Sequence, residues 1–167
     1  MILNSQLESA DLVIRPFVMT DAAHLVRLLA DPIVHRYVGD GRALSPAQAE
    51  LWVVRSRENL ARHGYGTGAV VRREHGDVVG WAGFARPPDG LEEVIYGFGA
   101  DYWSRGYGTQ VLSAMIEFAV ARGITPLHAI AYPDNAASIA LLKRHGFSCV
   151  EPAYKGDANS SLYRLDV

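Results

Sequence analysis

The sequence lacks several features that would each place it in a distinct class of protein. It has one cysteine, Cys149, so no internal disulfide can form, and we expect this residue to lie in the core. No apolar run approaches the roughly 18 residues that a membrane span needs. Lysine and arginine (16) do not outnumber aspartate and glutamate (18), which argues against nucleic-acid binding. The six histidines have no metal-ligand spacing, so no metal site is predicted.

The size and composition of the chain predict one domain. Its 167 residues, of which 49% are hydrophobic, are typical of a soluble domain, here spanning 1–167. No repeat or low-complexity segment divides the sequence. The first residues lack the basic segment, apolar core and cleavage site of a secretory signal, which predicts a cytoplasmic protein that does not bind membranes.

Apolar periodicity predicts an α/β (α+β) chain in the order β-α-α-β-β-β-α-β-α-β-β. Thr20 is expected to cap the first helix, which Asp31-Pro32 ends, and Ser45-Pro46 to begin the second. A hairpin over 68–85 turns at 75–77, and a further turn follows at 87–90. The remaining strands are predicted at 11–17, 92–101, 127–132, 147–151 and 161–167, and the helices at 20–29, 46–62, 108–122 and 135–145.

A glycine-bearing loop, Trp103–Thr109 ("WSRGYGT"), separates the predicted strand 92–101 from the helix that follows it. A strand, loop and helix in this order expose backbone N–H groups at a helix N-terminus, where an anion such as phosphate is favoured. The loop matches neither of the two standard phosphate motifs. Gly97 and Gly99 lie within the preceding strand, which indicates a bulge or the close approach of another molecule. From spacing alone, a ligand loop and a simple turn stay equally open.

A second motif decides between them. Asn135 and Ser138 open a helix that ends before Gly146-Phe147, and with Arg105-Gly106-Tyr107-Gly108 they resemble the acetyl-CoA-binding core of the Gcn5-related N-acetyltransferase (GNAT) superfamily. Trp103 departs from the general loop motif and resembles the RimJ/RimL branch, as does the N-terminal segment. The resemblance implies a mixed, mostly antiparallel sheet of six to seven strands flanked by about four helices.

The resemblance also implies where acetyl-CoA, the co-substrate, would bind. The pyrophosphate would lie on the N–H groups of 105–109, and the pantetheine would pair with the strand at 98–100. Asn135 has two interpretations, a helix cap and a cofactor contact, which are compatible. The implied cofactor contacts are Phe98, Gly99, Ala100, Trp103, Arg105, Gly106, Tyr107, Gly108, Thr109, Asn135 and Ser138.

The expected reaction needs a base, because an amine with a pKa of about 8 to 10 is protonated at neutral pH. The candidates are Glu92 and Glu93, and the resemblance favours Glu92, which lies fourteen residues before Gly106 as the basic glutamate of histone-type members does. Adjacent strand residues face opposite sides, so at most one points into the cleft, and a water chain or an exposed surface pair is the alternative. Many family members carry, at the position of Leu142, a tyrosine that acts as the proton donor. The resemblance therefore makes Ser138 the candidate proton donor for the thiolate, although a serine in a first helical turn also satisfies backbone groups.

The acceptor is expected to lie between the first loop and the hairpin. Tyr37, Trp81 and Phe84 are the main candidates, while His35, Trp52 and Tyr65 are also aromatic or polar residues of these segments, although a single aromatic residue is more often core. A protein N-terminus and a small amine both remain open as acceptors, as does a homodimer. The alternative function is an acyl-CoA-binding sensor without turnover.

Overall fold

The computed structural model describes residues 6–85 and 90–167, so the turn predicted at 87–90 lies almost entirely outside the described residues. Within them, the predicted order of elements is confirmed, with one further strand and one further helix. The strands are β1 (Leu7–Glu8), β2 (Leu12–Pro16), β3 (Thr67–Arg72), β4 (Val78–Ala85), β5 (Glu93–Phe98), β6 (Leu127–Ala131), β7 (Ser148–Glu151) and β8 (Ser161–Leu165). The helices are α1 (Asp21–Leu28), α2 (Pro32–His35), α3 (Pro46–His63), α4 (Tyr107–Arg122) and α5 (Ala136–Arg144).

Local side-chain chemistry explains where the longest helix begins and ends. Ser45 accepts a hydrogen bond from the N–H of Gln48, whose side chain in turn accepts from the Ser45 N–H, and Pro46 occupies the first helical position. Gly64, with φ of 81°, ends α3 in the left-handed region. The start predicted at Ser45-Pro46 is therefore confirmed.

The short helix α2 is absent from the sequence prediction, which assigned Asp31-Pro32 only to the end of α1. The Asp31 carboxylate accepts a hydrogen bond from the N–H of Ile33, and Pro32 is the first residue of the new helix. An acidic cap followed by proline is a helix start signal. The same two residues thus begin a second helix after the first has ended.

The eight described strands form one sheet in the order β1-β2-β3-β4-β5-β6-β8-β7. Every neighbouring pair is antiparallel except β5 and β6. The mixed, mostly antiparallel sheet predicted from the resemblance is confirmed, with one or two strands more than the six to seven expected.

Two apolar clusters pack the sheet against its helices. Helix α4, with Met115 and Phe118, packs with Phe84 and Val94 in the first cluster. Helices α1 and α3 contribute five of the eleven buried residues of the second, which also includes Trp81. The alternation of side chains along β4 places Trp81 and Phe84 in different clusters.

Cys149 does not lie in the core, contrary to the prediction from its residue type. It is exposed on β7, and all four residues of this strand are exposed. Because β7 is the last strand of the sheet and pairs with β8 along one edge, its side chains are less covered than those of a central strand.

Candidate functional site

The parallel strands β5 and β6 pair at Glu93 and His128, near the first residue of each strand. At the same place the N–H of His128 donates to the carbonyl of Glu92 over 2.8 Å. Two cavities lie along these strands beyond this point. Ligands of open α/β sheets lie outside the carboxyl ends of the strands. The gap between β5 and β6 beyond the pair of Glu93 and His128 is therefore the candidate site.

The larger cavity, of about 640 Å³, lies between the end of β5 and the N-termini of α4 and α5. It brings together the two motifs that the sequence analysis singled out. Its walls include Tyr96, Gly97, Phe98, Trp103, Ser104, Gly106, Tyr107, Gly108, Thr109, Asn135 and Ser138. The predicted cofactor residues Gly99, Ala100 and Arg105 are not among the residues that line it.

The N-terminus of α4 differs from those of α3 and α5 because no side chain among the described residues caps it. The loop before it turns sharply, with Ser104 and Gly106 both left-handed, at φ of 60° and 76°. The first N–H groups of a helix have no intrahelical acceptor, and the macrodipole makes that end positive. This end of α4 faces the larger cavity and suits an anion.

Two side chains of the glycine loop donate hydrogen bonds to backbone carbonyls that precede the loop. The indole N–H of Trp103 donates to the carbonyl of Phe98 over 3.0 Å. The exposed guanidinium of Arg105 donates to the carbonyl of Asp101 over 3.2 Å. Trp103 thus fixes the loop to the end of β5, while Arg105 places a positive charge beside it.

Packing limits the space beside the two glycines within and after β5. The sequence indicates a bulge or the approach of another molecule at these positions. A Cβ at Gly97 would overlap the indole of Trp81, and a Cβ at Gly99 would lie 2.8 Å from a methyl group of Leu28. Gly108 has a similar constraint, because its Cβ would lie 2.8 Å from Leu141 of α5. The fold itself therefore requires Gly97, whereas a Cβ at Gly99 or Gly108 would come closest to the movable end of a leucine side chain.

The smaller cavity, of about 360 Å³, lies between β5, β6 and the segment after α2. It joins the larger cavity through residues that line both. These shared residues are Tyr37, Val38, Trp81, Tyr96, Asn135 and Ser138. Ligands in the two cavities would therefore contact the same side chains at this junction.

Tyr96 and Ser138 form a hydroxyl pair at the junction. Their oxygens lie 3.1 Å apart, and either group can be the donor. Ser138 is held in place by the helix cap, because its N–H donates to Oδ1 of Asn135 over 3.3 Å. Burial raises the pKa of Tyr96, and the hydrogen bond with Ser138 offsets part of that rise. The sequence analysis missed Tyr96 because nothing in its strand pattern distinguishes it from a core tyrosine.

The two candidate carboxylates lie in different surroundings. Glu93 lines the smaller cavity. Glu92 accepts a hydrogen bond from the hydroxyl of Tyr65 over 2.9 Å and lines neither of the two described cavities. The structure thus brings Glu93, but not Glu92, to the gap between the strands.

The candidate acceptor residues also divide into those that line a cavity and those that do not. Tyr37 and Trp81 line both cavities, and Trp52, whose ring centre lies 5.7 Å from that of Trp81, lines the smaller one. Phe84 is fully buried against Phe118 and lines neither described cavity.

Tyr132 lines the smaller cavity next to the end of β6. Tyr132 donates a hydrogen bond to the carbonyl of Gly39 over 2.7 Å and so connects β6 to the loop after α2. Burial raises the pKa of Tyr132, and so do the charges of three carboxylates, those of Asp157, Asp40 and Asp134. None of these three carboxylates lines the smaller cavity, and Asp134, which pairs with Arg36, lines the larger one.

The described residues contain neither a metal site nor a membrane-spanning helix. No group of three or more His, Cys, Asp or Glu side chains within 6–85 and 90–167 is arranged to hold a metal ion. No helix in the same ranges is long and apolar enough to cross a membrane.

Comparison with protein-family models gives a match to the acetyltransferase (GNAT) domain over residues 11–148. An L-methionine sulfoximine/L-methionine sulfone acetyltransferase from Pseudomonas aeruginosa is 38% identical over 96 residues, which are 54% of this chain and 55% of that protein. The chain thus matches about half the length of this curated relative.

Solved structures share the whole fold at lower identity. An acetyltransferase from Agrobacterium tumefaciens has a TM-score of 0.84 at 21% identity, covering 100% of this chain and 97% of the other. RimL, a ribosomal L7/L12 alpha-N-protein acetyltransferase solved with coenzyme A, has a TM-score of 0.80 at 18% identity, covering 98% of each chain.

Proposed function

Because the chain belongs to the acetyltransferase (GNAT) domain family, we propose that it is an acyltransferase that transfers the acetyl group of acetyl-CoA directly to a primary amine in a ternary complex. The meeting of the two cavities at Tyr96, Asn135 and Ser138 carries this proposal. The larger cavity offers a helix N-terminus to a phosphate-bearing cofactor, and the smaller one offers a carboxylate to an amine. The two ligands then react at the junction.

Acetyl-CoA fits the larger cavity as co-substrate. The N–H groups of 105–109 would hold its pyrophosphate, and the exposed guanidinium of Arg105 would supply the opposite charge. A Cβ built at Gly106 has no neighbouring atom within 4 Å, so the backbone is open to the phosphate oxygens. Asn135 caps α5 and lines the same cavity, which makes it a cofactor contact as well. The proposal assigns no metal ion to the site.

The backbone groups that would pair with the pantetheine are not those that the sequence predicted. The N–H of Gly99 donates to the carbonyl of Val79 over 3.0 Å, and the carbonyl of Phe98 accepts from Trp103. Alternate residues of a strand direct their backbone groups to the same edge. The pantetheine would therefore pair with the N–H of Phe98 and the carbonyl of Tyr96, rather than with residues 99 and 100.

We assign the base to Glu93, since this carboxylate lines the cavity that would hold the amine. It would take the proton that the attacking nitrogen loses, directly or through one water molecule. The loss of this proton gives the nitrogen the lone pair that attacks the thioester carbonyl. An N–H at the end of β5 would polarise that carbonyl in the manner of an oxyanion hole.

The acceptor is a cation before it reacts, and the smaller cavity fits such a ligand. Aromatic rings of Tyr37, Trp52 and Trp81 wall the cavity, and the carboxylate of Glu93 lines it as well. Its volume of about 360 Å³ is near the small end of ligand pockets. A small amine or the first residue of a peptide fits this volume, and the relatives named above act on acceptors of both kinds.

The proposal is tested by measuring thiol release from acetyl-CoA with two acceptor sets, peptides with different N-terminal residues and small amines. We expect acceptor-dependent thiol release that saturates with both ligands, and an acetylated product of one set. Acetyl-CoA binding without turnover on any acceptor would instead support an acyl-CoA sensor, and the absence of acetyl-CoA binding would refute both functions.

A further inference from the structure

Two hydroxyl groups face each other where the cavities join. The phenol of Tyr96 on β5 and the hydroxyl of Ser138 in the first turn of α5 lie 3.1 Å apart. Both residues line both cavities. On the basis of the proposed function, we propose that Tyr96 donates the proton to the departing thiolate and that Ser138 positions the Tyr96 hydroxyl.

The reaction needs such a donor. The thiolate that leaves has a parent thiol with a pKa of about 8.5, and a nearby acid helps it to depart. Leu142 is apolar and 1% exposed, and it occupies the position at which the family resemblance implies a tyrosine. It carries no proton to donate, so another side chain at the junction must do so.

The chemistry of the two hydroxyls favours Tyr96 as the acid. A phenol has an ordinary pKa of about 10, close to that of a thiol, whereas a serine alcohol is a much weaker acid. The ordinary pKa of a phenol, about 10, already keeps Tyr96 protonated at neutral pH, and burial raises that pKa further. A serine hydroxyl both donates and accepts, so Ser138 can donate to the Tyr96 oxygen and leave the phenolic proton directed at the sulfur.

The proton count closes over one turnover. The cationic amine first gives one proton to Glu93, which passes it to solvent as the net proton released in the reaction. The neutral nitrogen then forms its bond to the acetyl carbon and loses a second proton to Glu93, while the carbon–sulfur bond breaks and its electron pair stays on sulfur. Tyr96 gives its proton to that sulfur, and the hydrogen bond from Ser138 stabilises the phenolate that remains. The proton held by Glu93 then returns to Tyr96 through water, which restores both groups. No oxidant, reductant or further reactant is needed.

The test compares Tyr96→Phe, Ser138→Ala and the double variant, with Tyr163→Phe as the matched control. Tyr163 is also a buried tyrosine, on β8, and lines neither described cavity. We expect Tyr96→Phe to lower kcat roughly 100-fold with the KM for acetyl-CoA unchanged, and Ser138→Ala to lower kcat about tenfold. The double variant should match Tyr96→Phe, because residues that act as a unit are not additive.

A second measurement separates proton donation from a structural role. Acetyl-CoA carrying selenium in place of the thioester sulfur releases a selenol, which is a stronger acid than a thiol and needs less help. The defect of Tyr96→Phe should therefore shrink with this substrate, whereas a defect caused by altered packing would be the same with both.

The outcomes also distinguish this inference from the proposed function. Wild-type transfer with an equal or larger loss in Ser138→Ala than in Tyr96→Phe would overturn the role of Tyr96 and leave acetyl transfer intact. The same holds for a Tyr96→Phe defect that does not depend on the leaving group. Failure of the wild-type protein to transfer acetyl to any acceptor would overturn both.

Discussion

Gly97 on β5 is the cross-strand partner of Trp81 on β4, and the indole of Trp81 occupies the space in which a side chain at position 97 would begin. Both residues also line the larger cavity. The strand that borders the candidate site is thus fitted to an aromatic ring of its neighbour.

This relationship predicts that Gly97→Ala destabilises the protein by about 1 to 3 kcal/mol, the cost of inserting a group into a packed site. Chemical denaturation measures the change. In a Trp81→Phe background the same substitution should cost less, because a smaller ring leaves room for the new methyl group. An equal cost in both backgrounds would show that the indole is not the obstacle.

Gly106 and Gly123 provide a matched test of the phosphate assignment. They flank the two ends of α4, both are left-handed (φ of 76° and 64°), and a Cβ at either has no neighbour within 4 Å. Replacing either by alanine should cost about 1 to 2 kcal/mol of backbone strain. Only Gly106→Ala should weaken coenzyme A binding, by tenfold or more in calorimetry, and equal affinities would remove the helix N-terminus from the cofactor site.

The neighbouring carboxylates separate catalysis from packing. Glu93→Gln should lower kcat by roughly 100-fold or more, since it removes the proposed base and keeps the side-chain shape. Glu92→Gln should leave kcat nearly unchanged and alter thermal stability only slightly, because the amide oxygen of glutamine can still accept the hydrogen bond from Tyr65. Steady-state kinetics and melting of both variants check this pair. The opposite pattern would assign the base to Glu92.

Asp21 provides a prediction about pH. Burial alone would raise its pKa, but hydrogen bonds from Arg15 and from the N–H of Val18, with the charge of Arg15, outweigh burial and hold the pKa below its ordinary value of 3.8. The stabilisation is therefore complete above the unfolded pKa of about 3.9 and is lost as the pH falls through the lower folded value.

We expect Asp21→Asn to cost about 2 to 3 kcal/mol at neutral pH, as for hydrogen bonds to a charged group, and to flatten the fall of unfolding free energy below about pH 4. Urea denaturation across pH measures both. Asp166→Asn, which removes an exposed ion pair with Arg164, is the control and should change stability by less than about 1 kcal/mol. Equal acid sensitivity in wild type and Asp21→Asn would contradict the role of Asp21.

The sequence predicts the parts of this fold whose signals are local. The capping residues Ser45 and Asn135 lie within three residues of the N–H groups that they accept from, so their patterns are visible along the chain. The GNAT resemblance, confirmed by the family match, likewise depends on short motifs around Gly106 and Asn135. Position and order within each motif are enough for these predictions.

The missing parts depend on contacts between distant segments. Tyr96 meets Ser138 across 42 residues of sequence, and only the placement of α5 over the end of β5 brings them together. The reason for Gly97 is a ring on another strand, and the exposure of Cys149 follows from its position at the sheet edge. Residue type and spacing carry no information about such partners.

Each of the three tryptophans of the chain lines at least one of the two cavities: Trp52 lines the smaller, Trp103 the larger and Trp81 both. Their indoles are therefore the groups whose surroundings would change most directly when either cavity is filled. Intrinsic fluorescence excited in the indole band would follow cofactor and acceptor occupancy without a label, and each tryptophan replaced in turn would tell which cavity is being reported.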